Sequence, residues 1–120
     1  MKLKWNDGHI IDFLEAYRKY GALWDSSCPE YRNGTARERA SVGMVEDLSL
    51  EGLTVEDVKS KIKSIRSRYG AELGKIRRSE RSGAGVQDVY KPRLFWFTPA
   101  DNFLRTVVQT RDLQPAGQFE

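Results

Sequence analysis

The 120-residue sequence is poor in the residues from which cross-links and metal sites are built. It contains one cysteine, Cys28, and one histidine, His9. A single cysteine excludes an internal disulfide and fits a reducing compartment. A metal site requires several ligands of this kind, so we expect no metal and no other cofactor.

Long apolar stretches are also missing. No run approaches the roughly 20 apolar residues of a membrane-spanning helix, and the first residues, MKLKWNDGH, lack the apolar segment of a signal peptide. The glycine-rich SGAG, at 82–85, is not followed by the Lys-Ser/Thr of a P-loop, and no nucleophile is accompanied by a base and an orienting group. We therefore expect a soluble intracellular protein that is not an enzyme, with neither a membrane nor a small-molecule substrate as partner.

Positive charge is concentrated in one part of a chain that is nearly balanced overall. The formal net charge is +3. Residues 54–81 contain nine Lys or Arg and four Asp or Glu, a net of +5, whereas residues 1–53 sum to −2 and residues 82–120 to 0. Such local asymmetry favours a polyanionic partner.

Apolar residues at helical spacing predict helices across most of the chain. The first covers about residues 8–20, with Asn6 or Asp7 as its N-cap. A second covers about residues 36–48. The last begins in the sequence TPAD, where Thr98 is the N-cap and Pro99 takes the first helical position.

The third helix has the most regular pattern. It starts in TVED, which resembles a capping box: Thr54 and Asp57 each bond the backbone of the other. An apolar stripe about 80° wide follows, and we expect it to face the core with Trp24 and Trp96. The stripe consists of Val55, Val58, Ile62, Ile65, Tyr69, Leu73 and Ile76.

The opposite side of the third helix carries a line of small side chains, which is Ser60, Ser64, Ser67 and Ala71. Lys63 borders this line on one edge, and Lys61 and Arg68 border it on the other. Two interpretations are open. The side is either an ordinary solvated face or a surface that approaches the major groove of DNA closely, while its Lys and Arg reach the flanking phosphates.

The rest of the chain is assigned from composition. We expect residues 1–8 to form an N-terminal arm, 9–109 a helical domain and 110–120 a disordered tail. The stretch SERSGAGVQDVYKP, at 79–92, predicts a mobile loop, and RLFWF, at 93–97, a helical turn whose aromatic residues close the core. Trp5 either packs on the first helix, which we favour, or is an exposed contact.

The sequence resembles the MADF domain, a Myb/SANT-like module, over about residues 10–104. Three stretches carry the resemblance, and they are IIDFLEAYRKYGALWDSSCPEYRN, VKSKIKSIRSRYGAEL and LFWFTPADNFL. The specific signals are Leu23-Trp24-Asp25, Pro29, Tyr31, Val58-Lys59, Lys61, Ile65-Arg66, Tyr69, Trp96, Phe97 and Phe103-Leu104. Two positions depart from the family pattern: Ser41 stands where the family often has tryptophan, and Ile62 where it often has another large residue. A small Ser41 leaves a shallower core or an exposed pocket.

The resemblance implies an all-α fold, a Myb/SANT-like three-helix bundle of the helix-turn-helix kind with a long third (recognition) helix and a short C-terminal helical extension. Family members are commonly sequence-specific transcription regulators in the nucleus, and their third helix docks on double-stranded DNA. Some serve as protein-interaction modules instead, particularly where the third helix is acidic. The basic third helix here favours DNA, and a protein partner or self-association is the alternative.

The candidate DNA contacts on the third helix are Lys59, Lys61, Lys63, Ser64, Arg66, Ser67 and Arg68. Among them, Lys59 and Arg66 match family positions, and they either touch the DNA backbone or brace the helix. Further phosphate contacts are expected from Arg37, Arg39, Lys75 and Arg78. Arg37 and Arg39 are equally consistent with solvated side chains.

Overall fold

The structure is a computed structural model that describes residues 4–81 and 90–113. The side chains of residue 106 and of residues 108–113 are not described. The regular elements in these ranges are helices. The α-helices are α1 (Asp7–Lys19), α2 (Gly34–Leu48), α3 (Val55–Arg81) and α4 (Phe97–Leu113), with short 3-10 helices at Gly21–Leu23 and Pro29–Arg32. No strand occurs in the described ranges, and the predicted all-α fold is confirmed. Of the mobile loop predicted at 79–92, residues 79–81 are helical because α3 continues to Arg81, and residues 82–89 lie outside the described residues. Of the tail predicted at 110–120, residues 110–113 belong to α4, and residues 114–120 lie outside the described residues.

Side chains cap the first three helices, at the predicted positions in α1 and α3 and at a position that was not predicted in α2. The Asn6 side chain accepts from the backbone N–H of His9 over 2.8 Å at the start of α1. Asn33 caps α2 by accepting from Ala36 over 3.0 Å. The predicted box of α3 is present in full, because Thr54 and Asp57 each bond the other's backbone N–H over 3.1 Å. Each cap satisfies an N–H that the first turn leaves without an intrahelical acceptor.

The core is formed where all four helices meet, and α2 contributes Ala40 and Met44 to it. The stripe of α3 turns inward as predicted, and its central residues Val58, Ile65, Tyr69 and Leu73 are almost completely buried. From α1, Phe13 and Tyr17 face them. Because α3 runs without interruption through Gly70 and Gly74, it is about 40 Å long, longer than the core that supports it.

The last helix starts earlier than the sequence predicts. Thr98 is not its N-cap, because α4 already begins at Phe97 and the Trp96 carbonyl accepts from the N–H of Ala100 over 3.2 Å. Phe97 stacks on Tyr69 at 5.1 Å between ring centroids. This packing continues the helix into the aromatic segment, and Pro99 falls within the first turn, where no N–H is needed.

Tryptophans link the connecting segments to this core. Trp96 is buried, as predicted. Trp24 is only partly buried, but its ring packs on Phe103, and its Nε1–H donates to the Arg18 carbonyl over 3.1 Å. Trp5 packs edge-on against Phe13 at 5.4 Å, the first of the two arrangements considered for it.

Within the described residues, none of the helices combines the length and the apolar character that crossing a membrane requires. The same residues contain no cluster of three or more His, Cys, Asp or Glu side chains suited to a metal ion.

Candidate nucleic-acid interface

The side of α3 that faces away from the core is fully open to solvent. Its line of small side chains is exposed along its whole length, at Ser60, Ser64, Ser67 and Ala71. Helical geometry puts this line about half a turn from the buried stripe, so the α3 backbone is free to approach another molecule closely. Three hydroxyl groups are therefore presented on one accessible surface.

Lys63 and Arg68 are the least constrained cations of this surface. Both are exposed, and neither forms an ion pair or hydrogen bond within the described part of the chain. The charge of Lys63 is therefore available to an incoming anion, and so is that of Arg68, which attracts the Glu72 carboxylate without forming a hydrogen bond to it.

Lys61 is positioned by the N-terminal arm. Its ammonium lies 4.9 Å from the centre of the Trp5 ring, a cation–π contact. Burial lowers the pKa of the Lys61 amine, and the nearby charge of Arg68 lowers it further. The arm thus restrains a basic side chain on the edge of the exposed α3 surface.

Lys59 and Arg66 are engaged within the protein. Lys59 Nζ lies 2.7 Å from the Glu38 carboxylate on α2, and this bond raises the pKa of Lys59. Arg66 points toward the core, where its Nη1 donates to the Tyr17 hydroxyl over 3.3 Å. Its Nη2 is buried without a hydrogen-bond partner in the described residues. In this conformation Arg66 braces α3 against α1.

The two arginines of α2 face different directions. Arg37 lies over the Tyr31 ring at 5.2 Å and lines a cleft shared with Lys59. Arg39 lies on another side of α2, along a shallow groove with Val42 and Glu46. Only Arg37 is therefore brought next to α3.

The cations of the second half of α3 lie further along the helix axis. Arg78 is exposed and about 22 Å beyond Lys63, from the rise per residue. Lys75 pairs with Glu72 over 3.3 Å and lies 5.5 Å from the centre of the Tyr90 ring. This end of α3 is separate from the surface around Ser64.

A cleft of about 350 Å³ opens between α2 and α3. Its lining includes both positions at which the sequence departs from the MADF pattern, Ser41 and Ile62. Of the two consequences considered for a small residue at position 41, a shallower core or a pocket, the pocket is present. Glu38, which lies at the mouth of the cleft, was not among the predicted residues; its bond to Lys59 spans 21 residues of sequence, and no local pattern signals it.

The molecule is a small helical domain in which one long basic helix exposes its polar side, the architecture of Myb/SANT-like DNA-binding domains. The chain belongs to the MADF DNA-binding family, because residues 13–99 match the family described as "Alcohol dehydrogenase transcription factor Myb/SANT-like". No curated protein and no protein of solved structure matches the chain.

Proposed function

We propose that the protein is a sequence-specific DNA-binding domain of a transcription regulator that acts in the nucleus and places α3 in the major groove. The carrying observation is the exposed side of α3, where small side chains lie between the unpaired cations Lys63 and Arg68. A helix with such a side fits the groove closely, while its cations reach the phosphates.

The expected roles follow from side-chain chemistry. Lys63 and Arg68 are assigned to the two flanking backbones, with Arg68 also within the class of residues that read guanine. Ser64 and Ser67 donate to phosphates or base edges at the centre. Lys61 supports the same edge from its position on Trp5. Arg39, Lys75 and Arg78 are left for nonspecific attraction.

A second candidate function is a protein-interaction module. The observation that favours it is Phe95, whose side chain is 50% exposed although its neighbours Trp96 and Phe97 are buried. A partner that covers Phe95 would bind through apolar contact and be insensitive to salt. Salt dependence therefore separates the two functions.

Selection from a pool of random duplexes at two salt concentrations tests the proposal. Enrichment of one motif, with affinity that falls steeply with salt, supports sequence-specific binding. Salt-sensitive binding without enrichment contradicts the specific part and leaves a nonspecific role. Absence of binding at low salt overturns the DNA assignment in favour of a protein partner.

The assignment of the α3 surface is tested by substituting Lys63→Ala and Arg68→Ala together. We expect DNA affinity to fall about tenfold or more, since each charge-assisted contact contributes at least 1 kcal/mol. Circular dichroism and thermal unfolding should be unchanged, because both side chains are exposed. The matched control is Arg18→Ala with Arg32→Ala, which removes the same charge from exposed positions off α3. Equal losses in both double variants, or none, would contradict the assignment.

A further inference from the structure

The cleft between α2 and α3 combines a buried base with a charged mouth. Leu23, Ser41 and Ile62 form the base. The exposed residues at the mouth are Gly34, Arg37, Glu38 and Lys59. With two cations and one carboxylate, the mouth of the cleft carries a net positive charge, which favours an anion.

Ser41 is the buried polar group of this cleft. Its side chain is 1% exposed, and its hydroxyl forms no hydrogen bond within the residues that the structure describes. Arg66 Nη2 belongs to the fully enclosed side-chain atoms that lack a partner among the described residues, whereas the Ser41 hydroxyl does not. Because Ser41 lines the cleft, its O–H is open to an acceptor placed there.

The start of α2 adds donors at the mouth. Asn33 accepts from Ala36, which leaves the backbone N–H groups of Gly34 and Thr35 without acceptors among the described residues. The first turn of a helix carries partial positive charge and attracts anions. Arg37, held over the Tyr31 ring, adds a full positive charge beside it.

An anion already takes part in this cleft. The Glu38 carboxylate lies 2.7 Å from Lys59 Nζ, yet both side chains are about half exposed. Exposed ion pairs of this kind are weak. A non-bridging phosphate oxygen can therefore replace the carboxylate at Lys59 at little cost in free energy. In this sense Glu38 stands in for the ligand.

We propose that this cleft binds one phosphate group of the DNA backbone through Ser41, Arg37 and Lys59, and that Glu38 competes with the phosphate for Lys59. The inference rests on the proposed function, since it fixes one contact beside the α3 surface. It also assigns Glu38 a role, that of weakening DNA binding in the unmodified chain.

The test compares Glu38→Gln with Glu46→Gln. Both remove one negative charge from exposed positions on α2, but Glu46 lies outside the cleft and therefore controls for the change in net charge. We expect Glu38→Gln to bind a selected duplex about two- to fivefold more tightly than Glu46→Gln at low salt, the factor that release of an exposed ion pair allows. This excess should disappear when Lys59→Ala is present in both variants.

Ser41→Ala provides an independent readout. It should weaken binding of the duplex without lowering the unfolding temperature, since it removes a hydroxyl that has no partner in the free protein. Titration of the chain with inorganic phosphate should shift the amide resonances of Gly34 and Thr35, and less so in Ser41→Ala.

The outcomes separate the two proposals. If the duplex binds but Glu38→Gln binds it no more tightly than Glu46→Gln, the cleft contact is overturned and the DNA-binding function stands. If no duplex binds and phosphate still shifts Gly34 and Thr35, the proposed function is overturned, and the cleft is a site for phosphate from another source. If neither duplex nor phosphate has an effect, both are overturned.

Discussion

The Tyr69 side chain provides a test of how much one buried hydroxyl contributes to the stability of the fold. Tyr69 is fully buried, and its hydroxyl donates to Asp101 on α4, which Arg105 also holds over 2.9 Å. Tyr69→Phe keeps the ring and removes this link, so we expect the free energy of unfolding to fall by about 1–2 kcal/mol. Denaturant unfolding at neutral pH measures the change, and Tyr90→Phe, at a more exposed hydroxyl, is the matched control. A larger loss in Tyr90→Phe would contradict this ranking.

The same hydroxyl predicts a pH dependence. Burial, followed by the bond to Asp101, raises the pKa of Tyr69 above its usual value of 10.0. Below pH 10 both the folded and the unfolded chain keep this proton, and the stabilisation is complete. Above pH 10 the unfolded chain loses the proton first, so stability falls as pH rises. Tyr69→Phe should reduce this alkaline loss, although Tyr17, whose pKa burial also raises, keeps part of it. Unfolding curves at pH 8 and pH 11 for both proteins decide the point.

Single residues also mark the limit of prediction from sequence. The pocket at Ser41 was predictable, because a small side chain at a core position leaves space. The inward turn of Arg66 was left open, since its place at the boundary of the apolar stripe permits either direction. The pairing of Glu38 with Lys59 was not predictable, because it depends on how α2 and α3 pack.

At the level of helices, substitution of Gly43 tests how closely α2 packs on its neighbours. Alanine at position 43 would gain about 1 kcal/mol of helix propensity, but its Cβ would lie 2.6 Å from the Tyr20 hydroxyl. Tyr20 is held by Asp47 over 2.8 Å, so it resists displacement. We expect Gly43→Ala to lower the free energy of unfolding by about 1 kcal/mol net.

Gly74→Ala in α3 should have the opposite sign. There the added Cβ meets only Arg78 Nη1, at an ordinary 3.5 Å, and stability should rise by up to about 1 kcal/mol. Urea unfolding of both variants measures the contrast. In a Tyr20→Ala background, Gly43→Ala should become favourable; if it remains unfavourable, contact with Tyr20 is not the cause.

Helix features that depend on neighbouring residues were predicted correctly, whereas a boundary that depends on packing against the core was not. The box at Thr54 and the periodicity of α3 are short-range, and both are present as expected. The predicted start of α4 was wrong by two residues. TPAD carries good capping chemistry, but the contact of Phe97 with Tyr69 favours an earlier start. Packing between distant elements decided the boundary.

For the whole molecule, α4 is part of the core and not an addition to a finished bundle. The family match ends at residue 99, yet Phe103 packs on Tyr17 and Trp24, and Leu104 is fully buried. Deleting these two side chains removes roughly 3–6 kcal/mol of apolar burial. A small domain is stable by only about 5–15 kcal/mol, so this loss is comparable with the whole.

A chain that ends at residue 99 should therefore lose cooperative thermal unfolding and near-ultraviolet dichroism, whereas a chain that ends at residue 113 should keep both. DNA binding should be lost with the fold, because Tyr17, against which Phe103 packs, also holds Arg66 of α3. A shortened chain that melts cooperatively and still binds a selected duplex would show that α1–α3 suffice. Since α4 packs on Tyr17, and Tyr17 holds Arg66 of α3, we expect the folded unit to extend beyond residue 99, where the family match ends.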